Sequence, residues 1–212
     1  MTVEIINPAT GQVTYRHELL DAQGIEQRLQ AAADAFPGWA ARSLAERGAI
    51  LKQVAAQLRE RGVRDVEVTV LEVRDLAVAA AAETVGGLRE PHLDAALRSL
   101  EGADALVVAS PVFRGSYAGV FKVVLDLLEP GSLRGVPTAL AATSGTVRHT
   151  LVTEHAMRPL LSYLGALTLP TTIVATPNDL VLGSRPVPEL AARVTRSANE
   201  LADAVVRDRS AG

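Results

Sequence analysis

The sequence predicts an α/β protein built on a doubly wound parallel sheet, and three observations lead there. Ala105-Leu-Val-Val-Ala109 is an uncharged apolar run too short for a helix, which suits a strand covered on both faces of a parallel sheet. Strand-like and helical patterns alternate from Ser43 onward, as they do in stacked β-α-β units. The run at 105–109 also empties into a turn-rich stretch, Ser110-Pro-Val-Phe-Arg-Gly-Ser-Tyr117. With right-handed crossovers, an open sheet of this kind takes its ligand in the crevice outside the carboxyl ends of its strands.

Taken in order, Val3–Ile6 and Gln12–Arg16 flank the turn-forming Asn7-Pro-Ala-Thr-Gly11 and read as a hairpin. Ile25, Leu29, Ala32 and Phe36 recur at helical spacing until Pro37-Gly38. Ser43-Leu-Ala-Glu46 is a capping box, and the helix that it opens carries Leu44, Ile50, Leu51, Val54 and Leu58 on one stripe and stops at Gly62. Val66–Val73 alternates and is β-branched, the pattern of a strand. Ala77 to Pro91, with Gly86-Gly87 in it, reads as a flexible stretch, and His92–Leu100 as a short helix.

After the strand at 105–109 and its turn, a helix beginning near Ala118 is expected to bury Val120, Phe121, Val124, Leu127 and Leu128 and to end before Pro130-Gly131. Thr138–Thr143 is a further strand, Leu151–Leu164 a helix carrying Pro159, and Leu169–Thr176 a last strand. Val187–Arg207 closes the pattern as a helix, with fraying expected over Asp208–Gly212.

Composition narrows the chemistry. The 212 residues are 48% hydrophobic and 21% charged with a net charge of -3, a globular profile that points away from nucleic acid. With no cysteine, disulfides, a thiolate nucleophile and a Cys-ligated metal are excluded together. His17, His92, His149 and His155 form no i, i+4 pair, so no zinc site is expected. No apolar run reaches the length of a membrane span and Glu4 stands where a signal peptide would be apolar, so a cytoplasmic location is expected.

The turn at 110–117 has the chemistry of a binding loop. Pro111 stiffens the exit from the strand, Gly115 lets backbone approach a flat ligand, and Ser110 and Ser116 offer hydroxyls, Ser116 also as a helix N-cap. Ser110-Pro-Val-Phe-Arg-Gly-Ser-Tyr-Ala-Gly-Val-Phe-Lys122, then Ala141-Ala-Thr-Ser-Gly-Thr-Val-Arg-His149 and His155-Ala-Met-Arg-Pro-Leu160, resemble the NAD(P)H-dependent FMN reductases of flavodoxin-like fold. The resemblance runs from about Val63 to about Leu180.

It implies an oxidoreductase that passes a hydride from NADPH or NADH to FMN, works as a homodimer or homotetramer, and supplies reduced flavin to a partner monooxygenase. It also implies that Ser110, Pro111, Val112, Phe113, Arg114, Gly115 and Ser116 lie along the flavin ring and that Thr143, Ser144 and Gly145 support its pyrimidine edge through backbone N–H groups. Arg148 and His149 would stand at the rim. Phe113 either stacks on the ring or belongs to the core; Arg114 either reaches a phosphate of NADPH or points into solvent. No protein acid or base is required, because the flavin carries the redox chemistry. His155, on a helix, reads as structural or as a subunit contact.

The front of the chain is similar to something else. Ile6-Asn-Pro-Ala-Thr-Gly11, Ala35-Phe-Pro-Gly-Trp39 and Ser43-Leu-Ala-Glu-Arg47 resemble the amino-terminal segment of aldehyde dehydrogenases over roughly Ile5 to Arg61. Those enzymes act through a cysteine, which this chain lacks, so a structural piece is expected. The organisation that follows is an appendage over 1–42 and a flavodoxin-like domain over 43–212.

The junction has a consequence. The flavodoxin-like sheet lacks its usual first strand, and Phe36–Ser43 stands where a Gly/Ser-rich phosphate cradle normally precedes the first helix, leaving Arg42, Ser43 and that helix's N-terminus to attract an anion. Two alternatives stay open at this point: a working reductase, and a flavodoxin-like remnant that holds no FMN.

Overall fold

The computed structural model describes residues 2–6, 12–18, 66–179 and 187–211. The chain divides into two compact units, Met1–Ser43 and Leu44–Gly212. In the first, Thr2–Ile6 (β1) pairs antiparallel with Val13–Glu18 (β2), with a register irregularity between Ile5 and Ile6. The helices expected over 25–36 and from Ser43 to Gly62 lie outside the described residues, as do Trp39 and the Phe36–Ser43 junction.

In the second unit, Val73–Gly86 (α1) and Pro91–Glu101 (α2) precede Leu106–Phe113 (β3), Ser116–Tyr117 (β4) and Gly119–Leu125 (α3). Then come Pro137–Thr143 (β5), a π-helical turn over Thr153–Met157, Arg158–Tyr163 (α4), Leu167–Thr168 (β6), Ile173–Ala175 (β7) and Pro188–Ala211 (α5). β5 pairs parallel with β3 on one side and with β6 and β7 on the other, while β4 folds back antiparallel on the end of β3. The sheet is therefore parallel apart from that hairpin, as the alternating pattern predicts.

Residue parity assigns the two faces. Leu106, Leu140 and Ala142 join one core with Leu93 and Leu97 of α2, Phe121 and Val124 of α3, and Met157 and Leu161 beyond them. Ala139 faces the other way, into a cluster with Leu169, Leu201 and Ala204. Strand β5 is thus the strand covered on both faces. β3 is not: Leu106 and Ser110 are buried, but Val107, Ala109, Pro111 and Phe113 are exposed. The short apolar run promised double coverage, yet α5 packs chiefly over β5 and β7, with Ala105, just before β3, beside its buried residues.

Other local expectations change for identifiable reasons. Val66–Glu72 alternates like a strand but is irregular in the structure; side-chain pattern reports burial more reliably than strand pairing. Val66 instead packs beside Ala202 and Val205. Ala77–Gly86 is helical, because a run of alanines carries the highest helix propensity of any residue. Its buried stripe is Leu76, Ala79 and Ala80, and it ends at Gly87, whose φ of 69° lets its N–H bond the Glu83 carbonyl.

In α3, Val120 is 45% exposed while Leu125 takes its place in the core. Of the strand expected over Leu169–Thr176, only Ile173–Ala175 (β7) forms, with β6 lying just before the expected start; between them Pro170 has no N–H to give a ladder. α5 runs through Ala211, past the expected end at Arg207. Among the described residues, no helix is long and apolar enough to cross a membrane.

Pro159 explains the wide turn before α4. In an α-helix its ring would meet the carbonyl four residues back, and the 153–157 segment takes π geometry instead. Arg158 secures this region: Nε and Nη2 donate to Glu154 at 2.7 and 3.0 Å, and Nη1 donates to the Leu169 carbonyl at 3.0 Å. Those bonds hold the Glu154 carboxyl below the usual carboxylate range. The buried Thr153 hydroxyl donates to Thr172 at 3.1 Å, and Ser197 of α5 donates to the Thr171 carbonyl at 3.1 Å.

Gly165 is required where the turn after α4 meets the turn before β5. Its φ is +89°, and a Cβ there would meet the Arg134 Cα at 3.0 Å. Gly165→Ala is expected to lose at least ~1–2 kcal/mol from the left-handed backbone alone, seen as a lower melting temperature. Gly86→Ala, at a helical glycine with open space around it, is the control and leaves the melting temperature unchanged or raised.

Candidate functional site

The register of β3 on β5 sets the site. Ser110 stands opposite Ala142 and Pro111 opposite Thr143, so the segments beyond, 112–115 and 144–149, leave the same edge of the sheet on adjacent strands. They enclose a cleft of about 430 Å³ lined by Val112, Arg114, Gly115, Ser144, Gly145, Thr146 and His149. That volume lies within the usual range for small-molecule sites, and the position is the carboxyl end of parallel strands.

The first wall is a hairpin tip and not an open loop. Val112 and Phe113 pair with Tyr117 and Ser116, and Arg114 and Gly115 turn between them with φ of 52° and 81°. Positive φ at both central positions is the signature of the tight turn that suits the twist of paired strands. Glycine adopts it freely, whereas arginine carries a cost of about 1–2 kcal/mol.

Ser110 anchors this hairpin from below. Its hydroxyl, in a residue 4% exposed, accepts the Ala118 N–H at 2.9 Å and donates to the Pro111 carbonyl at 3.0 Å. Ser116 caps nothing: the N-cap of α3 is Ala118, and the serine that serves its backbone is Ser110.

The second wall is a hydroxyl-braced turn. The Ser144 N–H donates to the Ala175 carbonyl at 2.9 Å, which ties the turn to β7. Its Oγ donates to the Thr146 carbonyl at 2.8 Å, and Thr146 Oγ1 accepts the Arg148 N–H at 3.3 Å. The backbone donors of this turn are therefore not all available. Ser144 N–H is spent within the fold, Thr146 N–H is engaged weakly with Ser144 Oγ at 3.4 Å, and Gly145 N–H has no acceptor among the described residues.

Of the twelve residues singled out from the sequence, Val112, Arg114, Gly115, Ser144, Gly145 and His149 meet at the cleft. Ser110 lies beneath it, and Pro111, Thr143 and Arg148 flank it without lining it. Phe113 is 60% exposed on the opposite side of β3 from the core, and is neither core nor cleft lining. Thr146 lines the cleft without having been singled out; its place in Ser144-Gly-Thr146 was the available signal. Among the described residues, no cluster of His, Asp and Glu has the makings of a metal site.

The cleft suits a flat ligand. Gly115 and Gly145 both line it, and a Cβ at either would meet nothing within 4 Å, so the backbone at both is bare. The lining holds no acidic side chain. A planar ring with an electron-rich edge can lie there against backbone and Val112.

A parallel α/β sheet with a two-loop cleft at its carboxyl edge is the architecture of flavodoxin-like proteins. The comparisons agree and go further. The family model described as NADPH-dependent FMN reductase matches residues 43–180, well over half of the chain. The chain belongs to the NADPH-dependent FMN reductase family.

It is 42% identical over 114 residues to an FMN reductase (NADPH) of Pseudomonas aeruginosa, and 40% identical over 114 residues to the NADH-dependent FMN reductase SfnF of Pseudomonas fluorescens. Each match covers 54% of this chain and 61% of the relative, so the chain spans somewhat under two thirds of these curated proteins. The X-ray structure of an oxidoreductase from Corynebacterium diphtheriae superposes with a TM-score of 0.69 at 37% identity, covering 74% of this chain and 85% of that one. A 54-residue stretch is 44% identical to an N-succinylglutamate 5-semialdehyde dehydrogenase of Pseudomonas fluorescens, but covers only 11% of that enzyme.

Ser110→Ala tests the anchor. It leaves the buried Ala118 N–H without an acceptor, a loss of about 1–3 kcal/mol, or roughly 2–12 °C in melting temperature for a chain of this size. Ser110→Thr, which keeps the hydroxyl, should retain most of that stability; equal melting of the wild type and the alanine variant would show that the bond carries no weight.

Proposed function

We propose that this protein is an NAD(P)H:FMN oxidoreductase whose flavin ring lies between the 112–115 hairpin tip and the 144–149 turn. The observation that carries the reading is the cleft itself, with two bare glycines, one on each wall, and no acidic residue in the lining. Family membership over residues 43–180 supports it. The domain that does this work is taken as 43–212, with 1–42 as an appendage.

When bound, FMN supplies the redox chemistry, accepting a hydride from the nicotinamide. The residues of this chain bind and orient. Val112 and the Gly115 backbone give the ring an apolar resting face, Gly145 N–H and Thr146 N–H are placed to stabilise negative charge on the ring edge facing them, and Ser110 and Ser144 keep the two walls at their spacing. Arg148 and His149 are assigned to the rim as polar contacts, and Thr143, Pro111, Phe113 and Ser116 to the support of the two loops. No side chain is given the role of proton donor or acceptor.

The exposure of Arg114, Gly115, Gly145, Thr146 and His149 favours a flavin that exchanges with solvent. This fits a reductase that releases reduced flavin to a separate monooxygenase. Homodimeric or homotetrameric assembly and a cytoplasmic location belong to the same reading.

The test is a titration of FMN into the full chain, followed by quenching of flavin fluorescence, with oxidation of NADPH and of NADH followed in parallel. Saturable FMN binding together with FMN-dependent nucleotide oxidation is expected. Absence of binding at high micromolar FMN would favour the non-binding remnant instead.

A further inference from the structure

We propose that Arg114, with His149 on the facing wall, forms a phosphate-binding subsite for the reduced nicotinamide dinucleotide at the outer rim of the cleft. The inference rests on the reductase reading above and assigns to the hairpin tip a role beyond holding flavin.

Charge comes first. The lining of the cleft contains one permanent cation, Arg114, one further residue able to carry positive charge, His149, and no Asp or Glu. Arg114 has no ion pair or side-chain hydrogen bond among the described residues, whereas Arg74, Arg89, Arg98 and Arg158 each have a carboxylate partner. The Ser144 and Thr146 hydroxyls are already committed within their own turn. An anion entering the rim therefore meets a guanidinium with all its donors free, and a guanidinium matches phosphate oxygens in a paired geometry.

Backbone conformation is the second, independent observation. Arg114 is the one non-glycine residue with positive φ among the described residues, at 52°. The tight turn at this position is served most cheaply by glycine or asparagine. An arginine there is a residue the turn does not ask for, and strain of this kind is kept where the side chain has a use. Arg114 and Gly115 are both exposed at the tip, on the side open to a second substrate that must come and go at each turnover.

Turn and cation make opposite demands, and the test exploits that. Arg114→Gly relieves the backbone and removes the charge. The melting temperature of the full chain should stay the same or rise, while nucleotide affinity, measured by isothermal titration with NADP+ and with NAD+, should fall roughly tenfold or more. Arg114→Lys should restore part of the affinity, and added salt should weaken the wild type more than the glycine variant.

Loss toward NADP+ alone identifies the 2′-phosphate as the bound group, and equal loss toward NADP+ and NAD+ identifies the pyrophosphate; either supports the subsite. Unchanged affinity for both, a wild type that binds neither, or a loss confined to FMN overturns it. Binding is read without turnover, so the two levels separate. A wild type inert toward FMN whose NADP+ binding still depends on Arg114 defeats the reductase reading and leaves the subsite, while an active wild type matched by Arg114→Gly in nucleotide affinity does the reverse.

Discussion

Parallel pairing of β3 with β5 is the constraint on which the rest of the structure depends. Leu106 to Pro111 stand opposite Thr138 to Thr143 without a break, and adjacent strands are about 4.8 Å apart. Because both strands run the same way, the chain leaves each of them at the same edge, and two loops that are some thirty residues apart in sequence become the walls of one cleft. A slip by one residue would turn Leu140 and Ala142 from the main core to the face of α5 and Ala139 the other way. The packing that holds the register thus also holds the site.

Two serines carry the order of the sheet out into the loops. Ser110 ends the buried face of β3 and joins it to the first turn of α3; Ser144 follows β5 and is bonded to Ala175 of β7 and to its own turn. Each hydroxyl is buried and satisfied, which makes it stiff, since a buried polar group that loses its partner has no water to replace it. The glycines and the cation at the rim lie beyond these anchors, where backbone is bare and exposed. The cleft is thus rigid below and open above.

Much of this was legible in the sequence. The apolar run before Ser110, the strand at 138–143 and the helix around 92–100 are all present, and six of the residues chosen for the site line the cleft. The misreadings share a cause. Val66–Glu72 had the composition of a strand but is not one, and Ala77–Gly86 had the propensity of a helix behind a pair of glycines that looked like flexibility. Ser110–Tyr117 read as a turn leading straight into the next helix, where the strand in fact continues to Phe113 and positive φ at Arg114 and Gly115 folds it back as a hairpin. Pairing partners and φ values are tertiary facts, and local pattern reports them poorly. The role of Ser110 was out of reach for the same reason, since its partner Ala118 is eight residues away.

The most direct test of the two-walled cleft is amide hydrogen exchange of the full chain with and without FMN. Protection is predicted to appear together in 112–117 and 143–149, with α2 at 91–101 unchanged. Protection confined to one of the two segments, or located elsewhere while FMN is demonstrably bound, would contradict a ring held between them.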